Sequence, residues 1–295
     1  AKTYEKILRE GDDVFYNGEI GHAIVKFFEE QGGLLSMKDL ADHRVRWQEP
    51  ISTSYRNHRV YEAPPNSSGH VLLQALNLAE QFGLNSLGAN SVEAIHMMVE
   101  AKRMAFADRE AYMADPEWVD IPIPGLLSKE YAAERAKAID PERVSMEVAA
   151  GNPWDYQGVA KPNGTTHISS DREDTTCFAV VDQWGNAVSM LQSIQSAFGS
   201  SVIAGNTGVL LNNRMTYWHL DPGHVDVLQP GKRVRHTMNP VMVFREMDAG
   251  KRDLVLVCGT PGADTQVQTN FQVVTHILDF GMTVAEAVEA PRWRH

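Results

Sequence analysis

The chain has 295 residues, with 27 Lys and Arg against 38 Asp and Glu, so its formal net charge is −11. Proteins that bind nucleic acid without sequence preference need an excess of basic residues, and this charge excludes that class. No apolar run approaches the roughly eighteen residues of a membrane span, so we expect a globular protein without one. Cys177 and Cys258 are too few for a disulfide framework and lack the CxxC spacing of a zinc or redox site.

The first part of the chain, to about residue 140, is predicted to be mostly helical. Apolar residues recur at helical spacing from Ile20 to Phe28 and stop at a pair of glycines, which predicts the end of a helix. Ser36 and Asp39 have the spacing of a capping box. Further elements are predicted as a strand or hairpin over 54–63 that turns near Asn57, and as helices over 68–82 and 91–113.

The second part has a different pattern. Residues 140–174 are rich in Pro, Gly and Asn and have no apolar periodicity, which predicts a loop or linker. Beyond it the apolar period changes from that of a helix to that of strands. Strands are predicted over 175–181, 187–194, 208–211, 241–245 and 254–258, and a helix over 267–278. The sequence therefore predicts an α+β chain with two regions, 1–174 and 175–295.

The strand that begins at Thr175 follows this linker directly, which suggests a nucleophile that cleavage turns into a new N-terminus. An N-terminal threonine carries its own general base, because its α-amine has an ordinary pKa of about 7.7 to 8.0. Before cleavage, the same hydroxyl can attack the carbonyl of Asp174 and form an ester that water opens. The pattern alone is explained at least as well by Thr175 and Thr176 as ordinary strand residues, so both interpretations stay open.

Several ordered blocks resemble the small subunit of γ-glutamyltranspeptidases. These blocks are residues 175–182 (TTCFAVVD), 185–188 (GNAV), 198–199 (FG), 208–213 (GVLLNN) and 259–262 (GTPG). The earlier half is similar, in the same order, to the C-terminal part of that family's large subunit. Its matching blocks are 13–19 (DVFYNGE), 32–35 (GGLL), 64–69 (PPNSSG) and 105–109 (AFADR).

This resemblance implies an N-terminal-nucleophile hydrolase with an αββα sandwich fold. It also implies an inactive precursor that cuts itself into a heterodimer of a large and a small subunit. The substrate would be a small-molecule γ-glutamyl amide, and no cofactor or metal would be needed. Members of the family are often periplasmic or extracellular, but this chain does not begin with Met and lacks the N-terminal part of the large subunit. The chain also stops at His295 where the family continues, so we expect a piece of a longer protein, truncated at both ends, with its compartment open.

The resemblance assigns the catalytic positions. Thr175 stands at the family's nucleophile position, with the cleavage site between Asp174 and Thr175. Residues 164–167 (GTTH) imitate the family's Thr-Thr-His, but no strand ending in Asp-x-x-Gly-Asn follows them, so Thr175 is preferred. The family keeps a second hydroxyl residue against the nucleophile, and Ser193 stands at that position. Gln195 falls where the family has an amide that contacts the amino-acid end of the substrate.

The backbone N–H groups of Gly262 and Ala263 match the loop that binds the oxyanion in the family. The sequence gives an independent physical reason, because successive N–H groups in a turn that opens a helix direct the positive end of its dipole at a developing charge. The same residues also fit a type II turn with Pro261 first and Gly262 second, which is compatible with that role.

The chain departs from the family where substrates with an α-ammonium are bound. The family's amide and carboxylate are replaced by Arg214 and Tyr217, and losing a charge-assisted hydrogen bond costs about 1.5 to 3 kcal/mol. This favours the acylase-like branch, which removes glutaryl-type acyl groups, with Arg214 paired to a second carboxylate. The alternative is that Arg214 is solvated and Tyr217 packs. His236 and Thr237 replace the family's pair of carboxylate-binding serines, and a solvated basic strand start explains His236 equally well.

Other possible sites are weak. His219 and His224 are five residues apart with Asp221 and a Pro-Gly pair between them, so they do not share a helix face as metal ligands do. We expect them to be solvated loop histidines and predict no metal site. The first functional hypothesis is a self-processing γ-glutamyl amidohydrolase or transferase, and the second is a glutaryl-type cephalosporin acylase with the same mechanism. The third is an uncleaved, inactive fragment or binding subunit.

Overall fold

A computed structural model describes residues 1–158 and 174–294. The chain divides into two compact units, which we describe separately. The first unit consists of Ala1–Gln48 and Ile194–Arg214, and the second consists of Glu49–Ser193 and Met215–His295. Within the described ranges, no helix is long and apolar enough to cross a membrane.

The first unit contains four helices, α1 (Lys2–Glu10), α2 (Asp13–Tyr16), α3 (Glu19–Glu30) and α4 (Met37–Asp42). Its small core is formed by Val14 of α2, by Ile20 and Ile24 of α3, and by Ala204 of the 194–214 segment. The predicted capping box is confirmed, since Ser36 and Asp39 exchange side-chain and backbone hydrogen bonds at the start of α4.

The predicted strand over 208–211 is wrong. This segment forms one isolated bridge, between Ile203 and Leu210, and no extended strand. The cause is a tight turn between Ala204 and Val209, closed by an Ala204 N–H to Val209 C=O hydrogen bond of 3.0 Å. Gly208 leaves the turn with a positive φ of 72°, a conformation that glycine adopts without strain and that interrupts an extended strand.

The second unit contains most of the regular structure. Its elements in chain order are β1 (Ile51–Tyr55), β2 (His58–Glu62), α5 (Gly69–Ala79), α6 (Leu84–Leu87), α7 (Val92–Tyr112), α8 (Ile123–Leu126), α9 (Lys129–Ala136), β3 (Asp174–Val181), β4 (Ala187–Gln195), β5 (Val241–Glu246), β6 (Arg252–Cys258), α10 (Thr265–Leu278) and α11 (Val284–Glu289). The last two residues of β4 belong to the first unit. Short 3₁₀ helices cover Pro153–Tyr156, Arg214–Tyr217 and Asp248–Gly250.

An antiparallel sheet of four strands, in the order β1-β2-β5-β6, supports the second unit. The predicted turn near Asn57 is confirmed, because Arg56 and Asn57 have φ angles of 46° and 61°, as a two-residue hairpin turn requires. Helix α5 packs on this sheet and also contacts α7, α9 and α10. Every residue of α5 is buried, which explains its nearly continuous apolar sequence.

The helices predicted over 68–82 and 91–113 are confirmed as α5 and α7. The Ser91 hydroxyl caps α7 by accepting the Ala94 N–H at 3.0 Å. Residues 140–158, the described part of the predicted linker, contain one 3₁₀ turn and are tied to α7 by polar contacts. One contact joins the Gly151 N–H to Asp108 Oδ1 at 2.7 Å. The remainder of the linker, including residues 164–167, lies outside the described residues.

Within the described residues, a second sheet consists of β3 and β4, which are connected by the predicted turn at 182–186. Polar contacts fix it to the end of β6. The Cys177 thiol donates to the Gly259 carbonyl at 3.3 Å, and the Ser189 hydroxyl donates to the Cys258 carbonyl at 2.8 Å. Apolar side chains elsewhere on this sheet are 39 to 56% exposed, namely Phe178, Val180, Val188 and Met190.

Candidate active site

The predicted nucleophile Thr175 lies near the start of β3, with 9% of its surface exposed. Its Oγ1 donates a hydrogen bond of 3.0 Å to Oγ of Ser193 on the paired strand β4. The structure therefore brings together two residues that the sequence predicted as a pair. The contact forms because β3 and β4 lie side by side, so two residues 18 positions apart in sequence become neighbours.

A third side chain at this position was not predicted. Gln266, in the first turn of α10, is fully buried and places its Nε2 3.4 Å from Thr175 Oγ1. Its Oε1 accepts the backbone N–H of Asn239 at 3.2 Å. The only signal for Gln266 in the sequence was its position shortly after the glycine turn. That position does not indicate a contact with Thr175, which lies 91 positions earlier.

The turn at Gly262 and Ala263 leads into α10. Gly262 has a φ of 119°, and a Cβ built there would lie 2.3 Å from Thr265 Oγ1, so the position requires glycine. Ala263 has a φ of 40°, which costs a residue with a side chain about 1 to 2 kcal/mol. Within 1–158 and 174–294, neither of their N–H groups donates a hydrogen bond. The two N–H groups precede a 14-residue helix, where the helix dipole favours negative charge.

An ion-pair network holds the residue that follows this turn. Asp264 receives two hydrogen bonds from Arg109 of α7, at 2.6 Å to Oδ1 and 3.2 Å to Oδ2. The Nε of Arg109 also donates to Glu110 Oε1 at 2.9 Å. Arg109 is 1% exposed. These contacts compensate the unfavourable free energy of removing its charged guanidinium from water.

The network also sets the charge states of its members. Burial tends to raise the pKa of Asp264, but the charges of Arg109 and Arg235 outweigh burial and lower that pKa. Glu110 behaves in the same way, because burial is again outweighed by Arg109 and Arg235. Burial tends to lower the pKa of Arg109, but the charges of Asp264 and Glu110 outweigh burial and raise that pKa. All three groups are therefore charged at neutral pH.

The predicted substrate-binding residues of the second unit lie close to this network. Tyr217 is buried beneath the guanidinium of Arg235, with 4.7 Å from the guanidinium carbon to the ring centroid, so the alternative that Tyr217 packs agrees with its position. The carbonyl of His236 accepts hydrogen bonds from the N–H and hydroxyl of Ser68, at 3.0 and 2.9 Å. Thr237 is 1% exposed, and its carbonyl accepts from Asn239 Nδ2 at 2.6 Å.

The two remaining predicted substrate-binding residues, Gln195 and Arg214, belong to the first unit. Gln195 is 3% exposed and has a φ of 80°. Its Oε1 accepts a hydrogen bond of 2.8 Å from the Ser196 hydroxyl. Arg214 is half-buried, and its backbone N–H donates to Asn212 Oδ1 at 2.9 Å.

Comparison with known proteins identifies the family. Residues 1–295 match the family model described as Gamma-glutamyltranspeptidase. The chain belongs to the γ-glutamyltranspeptidase family. It is 37% identical over 293 residues to a glutathione hydrolase-like YwrD proenzyme of Bacillus subtilis, with 99% of this chain and 51% of that protein covered. It is 36% identical over 294 residues to an acylase ACY 1 proenzyme of Pseudomonas sp., with 99% and 49% covered.

The fold has a solved counterpart in the same family. A cephalosporin acylase from Bacillus halodurans superposes with a TM-score of 0.83 at 34% identity, over 100% of this chain and 49% of that one. The mixed α and β fold expected from the sequence is thus that of a solved cephalosporin acylase, over about half of that protein's length. The chain spans about half the length of the curated relatives that it matches.

The prediction that His219 and His224 are solvated is wrong for His224, and His219 is only partly exposed, with 21% of its side chain accessible. Their rings stack with centroids 3.4 Å apart and planes 9° apart, and His224 is 5% exposed. A parallel bridge between His219 and Val227 folds the segment back on itself, which brings the two rings together. Burial, and then the neighbouring His219, lower the pKa of His224 to about 4, so it is neutral at pH 7.

Together with Glu110, these histidines are the one group in the described part of the chain whose ligand atoms lie close enough to suggest a metal site. The geometry does not suit one. Imidazole lone pairs lie in the ring planes, and two nearly parallel stacked rings do not direct them at one ion. The Asp226 N–H also donates to His224 Nδ1 at 2.9 Å, and Arg109 and Arg235 flank Glu110 with positive charge.

Proposed function

We propose that this chain is part of a self-processing amidohydrolase of the γ-glutamyltranspeptidase family, with Thr175 as its nucleophile. The observation that carries the proposal is the contact of Thr175 Oγ1 with Ser193 Oγ at 3.0 Å, at a nearly buried position beside the N-terminal turn of α10. This arrangement combines a hydroxyl nucleophile, a hydroxyl partner and a nearby turn with free N–H donors, as acyl transfer requires.

The first reaction in the proposal is cleavage between Asp174 and Thr175. Thr175 Oγ attacks the Asp174 carbonyl, the peptide C–N bond breaks, and the proton lost by the hydroxyl ends on the released α-amine. Water then hydrolyses the resulting ester. The products are a large-subunit-like region, 1–174, and a small-subunit-like region, 175–295, which remain together as a heterodimer in an αββα sandwich. Relatives described as proenzymes support such a step.

The second reaction is acyl transfer from an amide substrate. The free α-amine of Thr175 takes the Oγ proton, Oγ attacks the amide carbonyl, and the leaving amine receives that proton. The N–H groups of Gly262 and Ala263 are proposed to bind the oxyanion of the tetrahedral intermediate. Water or an amino acid then accepts the acyl group from the Thr175 ester.

For the substrate we propose a small γ-glutamyl amide, in line with relatives described as glutathione hydrolases. A glutaryl-type amide is the second candidate. Arg214 and Tyr217 replace the two acceptors expected for a substrate α-ammonium, and Tyr217 is occupied by its packing on Arg235. The acylase and cephalosporin acylase relatives, at 36 and 34% identity, support this alternative.

Cleavage is tested on a denaturing gel with mass mapping of the fragments. We expect the wild-type chain to give two fragments, one ending at Asp174 and one beginning at Thr175. A Thr175→Ala variant should remain uncut. Conservative replacement of Thr176 by Ala serves as the matched control and should still be cut. A single band near 32.8 kDa that persists for days would favour the uncleaved, inactive fragment or binding subunit.

The two substrate classes are separated by hydrolysis of a γ-glutamyl anilide and its glutaryl counterpart. The loss of both ammonium acceptors predicts that the γ-glutamyl compound is favoured by less than about tenfold, or roughly 1.4 kcal/mol. A larger preference would show that Arg214 and Tyr217 do not impair ammonium binding.

A further inference from the structure

The orientation of the Gln266 side chain is fixed by its surroundings. Its Oε1 accepts the Asn239 backbone N–H at 3.2 Å, and an N–H group can be paired only with an acceptor. The oxygen of the amide must therefore face Asn239, and the NH₂ group must face Thr175 Oγ1, 3.4 Å away. If the amide were flipped, its NH₂ group would face the Asn239 N–H, and the hydrogen bond between Asn239 and Gln266 would be lost.

Asn239 is itself held in place. Its Nδ2 donates to the Thr237 carbonyl at 2.6 Å, and its carbonyl accepts from Asn270 Nδ2 at 3.0 Å. Gln266, Asn239 and Asn270 are each no more than 1% exposed. Water therefore does not compete for the amide of Gln266, and the donor that faces Thr175 is preorganised.

We propose that Gln266 is a catalytic residue that stabilises negative charge on Thr175 Oγ when this oxygen acts as a leaving group. The inference rests on the proposed role of Thr175 as nucleophile. We assign the role of Gln266 to breakdown of the Thr175 ester, the step in which Oγ leaves the acyl carbon with developing negative charge. This applies both to release of the acyl group and to hydrolysis of the ester formed during self-cleavage.

Water is the nucleophile in this step. The α-amine of Thr175 removes a proton from water, and the resulting hydroxide adds to the ester carbonyl. The tetrahedral intermediate collapses, the carbonyl C–Oγ bond breaks, and Oγ takes the proton back from the α-ammonium. Gln266 Nε2 donates its hydrogen bond to Oγ while the bond breaks. The distance of 3.4 Å is long for this bond, and catalytic hydrogen bonds commonly shorten only in the transition state.

The test uses the full chain with three substitutions. Gln266→Met keeps the length of the side chain and removes the donor. Gln266→Glu keeps an acceptor for the Asn239 N–H, and donates to Thr175 only when its carboxyl is protonated. Gln272→Met is the matched control, because Gln272 is 1% exposed on the same helix and its hydrogen bonds go to Trp293 and the Gln268 carbonyl.

With an anilide substrate, we expect Gln266→Met to reduce kcat about tenfold while KM falls in parallel, because acyl-enzyme accumulates. A burst of about one anilide per active chain should then appear. Gln266→Glu should approach the wild-type kcat at low pH and lose activity relative to wild type as pH rises and its carboxyl ionises. Gln272→Met should change thermal stability as much as Gln266→Met and leave kcat and the burst unchanged.

The proposal is overturned if wild type is cut at Thr175 and Gln266→Met deacylates as fast as Gln272→Met, or if Gln266→Glu shows no pH dependence beyond that of wild type. These results leave the role of Thr175 intact. A Thr175→Ala variant that is still cut, or still active, overturns the proposed function instead, so the two failures are distinct.

Discussion

The two sheets of the second unit are stabilised in different ways. In the four-stranded sheet, Val60, Val243 and Leu256 are 0 to 5% exposed, and α5 covers the face that they occupy. In the β3–β4 sheet, apolar side chains such as Val180 and Val188 are about half exposed. Polar contacts attach this sheet through Cys177 and Ser189 to the end of β6 and through Thr175 to Gln266.

This difference shows where the candidate site gets its geometry. The covered sheet and its helices form a packed framework that positions the Gly262 turn and the start of α10. The β3–β4 sheet brings Thr175 to that framework and is held there by hydrogen bonds. Changes in the framework beside the turn should therefore have large effects, and changes on the exposed part of β3 and β4 should have small ones.

The largest effect is expected for Arg109→Met. Removing this guanidinium leaves Asp264 and Glu110 in a buried site without their main partner, which costs about 3 to 5 kcal/mol of the free energy of unfolding. Urea unfolding measures it. The control is Arg59→Met, since Arg59 pairs with Glu246 on the surface at 2.7 Å, and both side chains are about a third or more exposed. That variant should lose less than about 1 kcal/mol, and equal losses for the two would contradict the framework account.

The next largest effect is expected for Gly262→Ala, which changes the turn between the framework and the β3–β4 sheet. The added Cβ meets Thr265 Oγ1 at 2.3 Å, so the turn must move and the proposed oxyanion donors are misplaced. We expect amide hydrolysis to fall about 100- to 1000-fold. Gly281→Ala, at a positive φ beyond the other end of α10 with open space around it, should keep full activity. Normal activity in Gly262→Ala would remove the turn from the mechanism.

The framework also predicts a dependence on pH. Burial, and then the charge of Arg109, lower the pKa of His70 on α5 to about 3. His70 is therefore neutral in the folded chain, while in the unfolded chain it takes up a proton as pH falls through its ordinary value. Its contribution to stability is complete above about pH 6.5 and is lost on acidification. Between pH 7 and pH 5, wild type should lose about 2 kcal/mol more than His70→Leu. Unfolding curves of equal pH dependence would refute this.

The smallest effect is expected on the β3–β4 sheet. Val180→Thr, at a position 56% exposed, should change the free energy of unfolding by less than about 0.5 kcal/mol. The same substitution at Val243, which is fully buried in the other sheet, places a hydroxyl in the core and should cost about 1 to 3 kcal/mol. Equal losses of the free energy of unfolding at the two positions would contradict the proposed difference between the two sheets.

The sequence predicted the elements that have strong local signals. Helix α7 was predicted over 91–113, and the β1–β2 turn from Asn57. The strand over 208–211 was predicted wrongly because the period-2 pattern competes there with a glycine turn. Stacking of His219 on His224 was missed because it depends on a backbone bridge between His219 and Val227, for which the loop has no periodic signal.

Within the candidate site, the resemblance predicted Thr175 and Ser193 as a pair, and the structure places them in contact. Gln266, and the pairing of Arg109 with Asp264, were not predicted. Each joins residues 91 or more positions apart, and such contacts are set by tertiary packing, which local periodicity does not encode. Arg109 lay within a block quoted for the resemblance, but that block indicated no partner for it.

The central claim is that Thr175 Oγ carries the acyl group during turnover. The direct measurement is to mix the protein with an anilide substrate, quench in acid within the first turnovers, digest, and locate the added acyl mass by mass spectrometry. We predict that this mass lies on the peptide whose first residue is Thr175. An acyl group found on Ser193, Cys177 or any other residue, during normal turnover, would contradict the account.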